Sequence, residues 1–221
     1  MEPISTTKAA LSLYGLLKDL FRLTTKPVRA IYRKFKPDNI HDCGYIILYR
    51  KISAHYTTVT SGLLTHEIEI KATKDHVSHY YGRYLHRGGK AKTNLTVKSA
   101  HRGLSLDKIE TGFQKFTVQL RNALAKNQRE IIVMAVEWED DIQGQNPEVA
   151  MHILCPTHSL EFTVVLPNGT GVKNADGQIS HHPGLFMPVK TEKLTANGGV
   201  LFWKPTILKP RLTYLVSWEW A

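Results

Sequence analysis

Apolar and polar residues follow two different periods along this chain. In the first 37 residues, apolar side chains recur every three or four positions, as at Leu13 and Leu17, which predicts amphipathic helix. Pro27 suits the first turn of a second helix, and Pro37 ends it. The pattern therefore predicts two short amphipathic helices that form an N-terminal arm over residues 1–37.

After residue 43 the pattern changes to short runs of β-forming residues separated by turn signals. Residues 44–49 and 55–60 predict two buried strands, and residues 64–70 alternate as a half-exposed strand. Two stretches rich in Pro, Gly and Asn predict long surface loops at 167–177 and 181–199. About ten strands without long intervening helices favour a mainly β fold, an antiparallel β-sandwich over residues 43–221.

The region between Leu208 and Trp218 resembles the late strands of fibronectin type III and immunoglobulin-like domains. Leu208 and Pro210 precede Tyr214, and alternating apolar residues follow up to Trp218. The resemblance implies a tyrosine that fixes the corner between two strands, and an immunoglobulin-like sandwich. It carries no implication for activity. Trp203, Trp218 and Trp220 are predicted to pack against the sandwich.

Positive charge is concentrated in two segments. The chain has 29 Lys+Arg and 19 Asp+Glu, a formal net charge of +10. Residues 1–36 hold eight basic and two acidic side chains, and residues 71–102 hold eight basic and one acidic. Solubility alone does not require such localisation, so the pattern favours an anionic partner.

A Tyr- and His-rich strand beside a basic turn is the main candidate site. Residues 76–86 and 93–99 flank the basic stretch 87–92 and predict a hairpin over 76–99. Cations would neutralise phosphates while aromatic rings stack on bases. The alternative is a strand packed in the core with a solvated basic turn. The predicted nucleic-acid or anion contacts are Tyr80, Arg83, Tyr84, Arg87, Lys90, Lys92, Lys98 and Arg102.

The N-terminal helices have three interpretations. Their apolar stripe packs on the sandwich, their basic face lies on an anionic membrane, or they form a nucleic-acid arm or an oligomerisation helix. The predicted membrane or partner contacts are Leu13, Leu17, Leu20, Phe21, Arg22, Arg29 and Arg33.

Enzymatic and cofactor signals are weak. His55-Tyr-Thr57 and His76-Val-Ser78 fit the pattern of two-histidine phosphodiesterases, with one histidine as base and the other as acid. No Cys/His spacing matches a structural zinc site, and no nucleotide-binding motif is present, so neither a metal nor a cofactor is predicted.

Cys43 and Cys155 are the two cysteines, and two free thiols in a cytosolic chain are expected. The apolar run 9–17 is interrupted by Lys18 and Asp19, which does not fit a secretion signal. No apolar stretch reaches the ~20 residues of a membrane span.

Taken together, these patterns predict an intracellular, cytoplasmic binding protein that is not an enzyme. Nucleic acid bound by the basic hairpin is the first hypothesis. The alternative is a matrix-like or immune-effector protein held at anionic lipid by the N-terminal arm, and the third is the phosphodiesterase. Assembly into a homo-oligomer stays open.

Overall fold

The described part of the chain consists of β-strands joined by turns and loops. A computed structural model describes residues 43–85, 90–94, 101–110, 113–139, 147–181 and 188–221, which belong to one compact unit. The strands are β1 (Tyr45–Tyr56), β2 (Ser61–Ala72), β3 (Val77–Leu85), β4 (Lys90–Asn94), β5 (His101–Glu110), β6 (Phe113–Leu124), β7 (Arg129–Glu139), β8 (Glu148–His152), β9 (Leu160–Val165), β10 (Val172–Ser180), β11 (Lys190–Lys193), β12 (Val200–Trp203) and β13 (Thr213–Trp220). The predicted mainly β fold is confirmed, whereas the predicted arm at 1–37 lies outside the described residues.

The strands form three sheets. The largest has six strands in the order β12-β9-β1-β2-β7-β4, the second has the order β11-β10-β13-β8, and the third has the order β3-β6-β5. Among the described strands, β1 and β9 pair in parallel and the other ladders are antiparallel.

One twelve-residue strand replaces the two that the sequence predicted at 44–49 and 55–60. The charged residues Arg50 and Lys51 do not break β1, because the strand continues through them with an irregularity between Ile47 and Tyr49. This bulge changes which residues face inwards. Ile47 is buried before it and Arg50 after it, so the extra residue turns Arg50 towards the interior.

The core lies between the inner faces of the six-stranded and four-stranded sheets. In β2 the predicted alternation is confirmed, with His66, Ile68 and Ile70 buried. Trp203 and Trp218 are buried as predicted, and Trp220 is half-buried against Trp218, with ring centroids 5.7 Å apart.

The loop predicted at 167–177 is wrong from Val172 onwards, and the one predicted at 181–199 is interrupted by a short strand. β10 and β11 occupy part of both stretches, and Gly177 in β10 is buried against the indole of Trp203. A Cβ atom at Gly177 would lie 2.5 Å from that indole. The glycine therefore marks close packing on a strand, which composition alone does not distinguish from a turn.

Tyr214 fixes the chain where it enters β13. Its phenol oxygen accepts a hydrogen bond from the backbone N–H of Lys209 at 2.8 Å and donates one to the carbonyl of Ile207 at 3.1 Å. This is the local corner that the resemblance implied. The corner does not establish immunoglobulin-like topology, which stays a prediction.

The two cysteines are not free thiols. Cys43, just before β1, forms a disulfide with Cys155 in the segment after β8. The same segments are joined by backbone hydrogen bonds from Ile47 N–H to the Pro156 carbonyl and from His158 N–H to the Ile47 carbonyl, at 2.8 and 2.9 Å. Residues 112 positions apart thus become neighbours through pairing that the sequence does not display.

Candidate functional site

The described strands β3 and β4 do not pair with each other as the predicted basic hairpin over 76–99 requires. β3 pairs with β6 in the three-stranded sheet, whereas β4 pairs with β7 at the edge of the six-stranded sheet. In that register Lys90 stands opposite Glu139 and Lys92 opposite Glu137. The two lysine positions of β4 are thus paired in register with glutamate positions of β7.

Tyr80, predicted to stack on bases, is 1% exposed and therefore cannot do so. A register shift between Val77 and His79 lets both Val77 and Tyr80 point inwards, which strict alternation along the strand does not allow. The neighbouring Tyr81 is 51% exposed instead, and Arg83 is half-buried.

The other predicted contacts are only partly described. Tyr84, Lys90, Lys92 and Arg102 occupy backbone positions in β3, β4 and β5. The remaining ones lie outside the described residues, namely Arg87, Lys98, Leu13, Leu17, Leu20, Phe21, Arg22, Arg29 and Arg33. Their roles as contacts stay predictions.

The two histidines of the phosphodiesterase hypothesis lie far apart. His55 is opposite Leu63 near one end of the β1–β2 ladder, while His76 follows β2, whose last residue, Ala72, is opposite Tyr45 at the other end. Ten residues of strand separate the two ends, about 33 Å. One substrate phosphate cannot contact both histidines, so this hypothesis is wrong.

A groove of about 410 Å³ runs along the outward face of β1 and β2. Its lining residues alternate along the two strands, and they are Lys51, Ser53, His55, Thr57, Leu63, Thr65 and Glu67. Ser53 stands opposite Thr65 in β2 and Thr163 in β9, so hydroxyl groups form a row at the centre. Six residue steps along β1 give the groove a length of about 20 Å.

Charges alternate in sign across one end of the groove. Lys51 stands between Glu67 of β2 and Glu161 of β9, and Lys204 Nζ forms an ion pair with Glu161 at 2.6 Å. Tyr49 donates a hydrogen bond to Glu67, and burial together with this bond raises the pKa of Tyr49 to about 12. The charged side chains at this end of the groove carry no excess of either sign, unlike a surface that binds a polyanion.

Apolar side chains border the hydroxyl row. Phe202 of β12 is 54% exposed and stands opposite Thr163, and Leu63 lies in the groove lining. On the other side, Ala135 of β7 stands opposite Thr65. The face thus combines hydroxyl groups, balanced charge and apolar contact area.

This groove was not predicted from the sequence. Its signal was the polar alternation of Lys51, Ser53 and His55, but the two strands predicted at 44–49 and 55–60 left residues 50–54 outside a strand. The segment in fact forms one strand, and its partners β2 and β9 are distant in sequence.

Two further features concern metals and membranes. Across the described ranges, no group of three or more His, Cys, Asp or Glu residues is placed to hold a metal ion. No helix in this described part is long and apolar enough to cross a membrane.

Similarity to known proteins is structural. No family model matches the sequence, and no curated protein matches it. A putative protease from Parabacteroides distasonis is similar in structure, with a TM-score of 0.50, 9% identity and coverage of 80% of this chain and 40% of that chain. The M1 zinc metallopeptidase from Deinococcus radiodurans gives a TM-score of 0.41, 14% identity and coverage of 79% and 42%. The chain therefore spans about two fifths of the length of these structures.

The Parabacteroides structure shows that this β fold also occurs within a longer chain, the putative protease. The hypothesis of a nucleic-acid-binding protein is wrong, because the described strands β3 and β4 pair in different sheets and Tyr80 is buried. The hypothesis of a membrane-attached matrix or effector protein is also corrected, since the fold similarity is to a putative protease and the arm at 1–37 lies outside the described residues.

Proposed function

We propose that this chain is a polypeptide-recognition domain, which binds an extended segment of another protein in the groove on β1 and β2. The observation that carries the proposal is the central row of Ser53, Thr65 and Thr163, with balanced charges at one end and exposed apolar side chains beside it. The fold shared with a putative protease supports a role in handling polypeptide.

The chemistry of the groove suits a peptide backbone. A hydroxyl both donates and accepts a hydrogen bond, so Ser53 and Thr65 match the N–H and C=O groups of an extended chain. A groove of about 20 Å accommodates about six extended residues. Leu63 and Phe202 offer apolar area for the side chains of the bound segment, and the alternating charges do not select a highly charged one.

A binding assay with a permanently unfolded protein tests the proposal. The probe is fluorescently labelled, reduced and carboxymethylated α-lactalbumin, titrated with the full chain and followed by fluorescence anisotropy. We expect saturable binding, and we expect Thr65→Arg to weaken it at least tenfold by filling the centre of the groove.

Thr117→Arg is the matched control. Thr117 is half-buried on β6 and stands opposite Tyr81 and Ser105, on a different sheet from the groove. The Thr117→Arg variant should bind the probe as the wild-type chain does. An absence of binding by the wild-type chain, or equal weakening by both substitutions, would show that the groove does not recognise polypeptide.

The disulfide supports a further part of the proposal, that the chain works in an oxidising compartment and not in the cytoplasm expected from its sequence. Disulfides persist in oxidising compartments and are rare in the cytosol. The Cys43–Cys155 link is therefore expected intact in protein from its native source, as tested by mass spectrometry after thiol alkylation without reductant. Alkylation of both cysteines would contradict this.

A further inference from the structure

Arg50 lies where the three sheets meet, and its described partners are neutral. The residue is only 4% exposed. Its guanidinium on β1 donates hydrogen bonds to the phenol oxygen of Tyr80 on β3 and to Met151 Sδ on β8, the latter at 2.7 Å. Its central carbon lies 5.9 Å from the centroid of the Tyr80 ring. A buried cation without an anion is costly, and proteins as a rule pair such charges.

Hydrogen-bond donors remain unused beside this cation. Arg50 Nε and both ring nitrogens of His66 are buried and have no hydrogen-bond partner among the described residues. Ile52 stands opposite His66 and Arg50 opposite Ile68, so Arg50 and His66 are diagonal neighbours on the inner face of two adjacent strands. Diagonal neighbours are about 7–8 Å apart, within reach of long side chains.

His66 supplies one donor when it is neutral. Burial and, to a smaller extent, the positive charge of Arg50 together lower the pKa of His66 to about 3. A neutral imidazole carries one N–H donor. The inner face thus holds one positive charge and two nitrogens that can donate but have no described partner, Arg50 Nε and one ring nitrogen of His66.

We propose that Arg50 Nε–H and His66 N–H together bind a small monovalent anion, of the halide class, inside the fold. A monatomic anion accepts both hydrogen bonds and offsets the guanidinium charge. A carboxylate or phosphate would bring further oxygens, each needing a donor in this apolar interior. A water molecule would satisfy the donors but leave the charge unbalanced. This inference is independent of polypeptide binding in the groove, which lies on the opposite face of the same strands.

Thermal unfolding of the full chain at constant ionic strength tests the anion site, with sodium chloride replacing sodium gluconate up to 300 mM. Ligands that bind only the folded state raise Tm. For a dissociation constant of about 10 mM, Tm should rise by about 4–8 °C. An equal Tm in the two salts would overturn the proposal and leave water as the occupant.

Two variants distinguish the site from general salt effects. Arg50→Met combined with Tyr80→Phe removes the cation and its phenol partner together, which keeps the volume and leaves no unpaired phenol. This variant should fold and lose the chloride dependence. Arg129→Met removes an arginine whose side chain is 62% exposed and should retain it. Retained chloride dependence in the double variant would contradict the assignment.

Crystals grown in bromide give a readout that does not depend on folding of a variant. We expect an anomalous peak within hydrogen-bonding distance of Arg50 Nε and a ring nitrogen of His66. Bromide elsewhere on the molecule but absent from this position would overturn the proposal.

Discussion

Replacing Cys43 and Cys155 with alanine tests how strongly the disulfide restrains the unfolded chain. The link closes a loop with a sequence separation of 112 residues. Loop-closure entropy for that length corresponds to about 4.8 kcal/mol of stability at 25 °C. Measured values fall below this limit when the unfolded chain keeps structure, so we expect a loss of about 2–5 kcal/mol.

The folded state should survive this change. Backbone hydrogen bonds between Ile47 and the 156–158 segment hold the same two strand ends together without the covalent link. Domains are typically stable by 5–15 kcal/mol, so the double variant should remain folded but unfold at lower urea concentration. The buried indoles of Trp203 and Trp218 give a fluorescence signal for the transition.

Reduction of the wild-type chain separates the covalent link from the loss of side-chain volume. Cys155 is 2% exposed, so alanine there also removes buried packing. Dithiothreitol should lower the urea midpoint of the wild type and leave that of the double variant unchanged. The reasoning would be refuted if reductant changed the wild-type free energy of unfolding by less than about 1 kcal/mol.

Three further predictions concern single residues. The pKa of His66 is about 3 in the folded state and 6.5 in the unfolded state. Its stabilising contribution is therefore complete above pH 6.5 and is lost as pH falls towards 3. Urea titrations should show about 2.5 kcal/mol less stability at pH 4.5 than at pH 7, and His66→Leu should reduce this difference. Gly62→Ala places a Cβ atom 2.2 Å from a backbone oxygen and should cost at least about 1–3 kcal/mol. Gly169→Ala, which meets nothing within 4 Å, should cost only the strain of its positive φ, about 1 kcal/mol; equal urea midpoints for the two glycine variants would contradict the packing argument. Tyr214→Phe removes both corner hydrogen bonds and should lower the free energy of unfolding by about 1–3 kcal/mol, whereas an unchanged urea midpoint would mean that the corner is not stabilising.

Features that depend on residues close together in sequence were predictable. The period-two alternation of β2 indicated its buried face, and the spacing around Tyr214 indicated the corner at the start of β13. Both are local, because alternation follows from strand geometry and the Tyr214 bonds reach only five and seven residues back.

Features that depend on strand pairing required the tertiary structure. One extra residue in β1 and a register shift between β3 and β6 change the facing of Arg50 and Tyr80, and such an irregularity exists only relative to a partner strand. The sequence by itself determined that this chain forms β-strands with a basic excess in two segments. Only long-range strand pairing decided that Cys43 forms a disulfide with Cys155, that β3 and β4 belong to different sheets, and that Arg50 is buried. Each of these features requires contacts between residues that are distant in sequence.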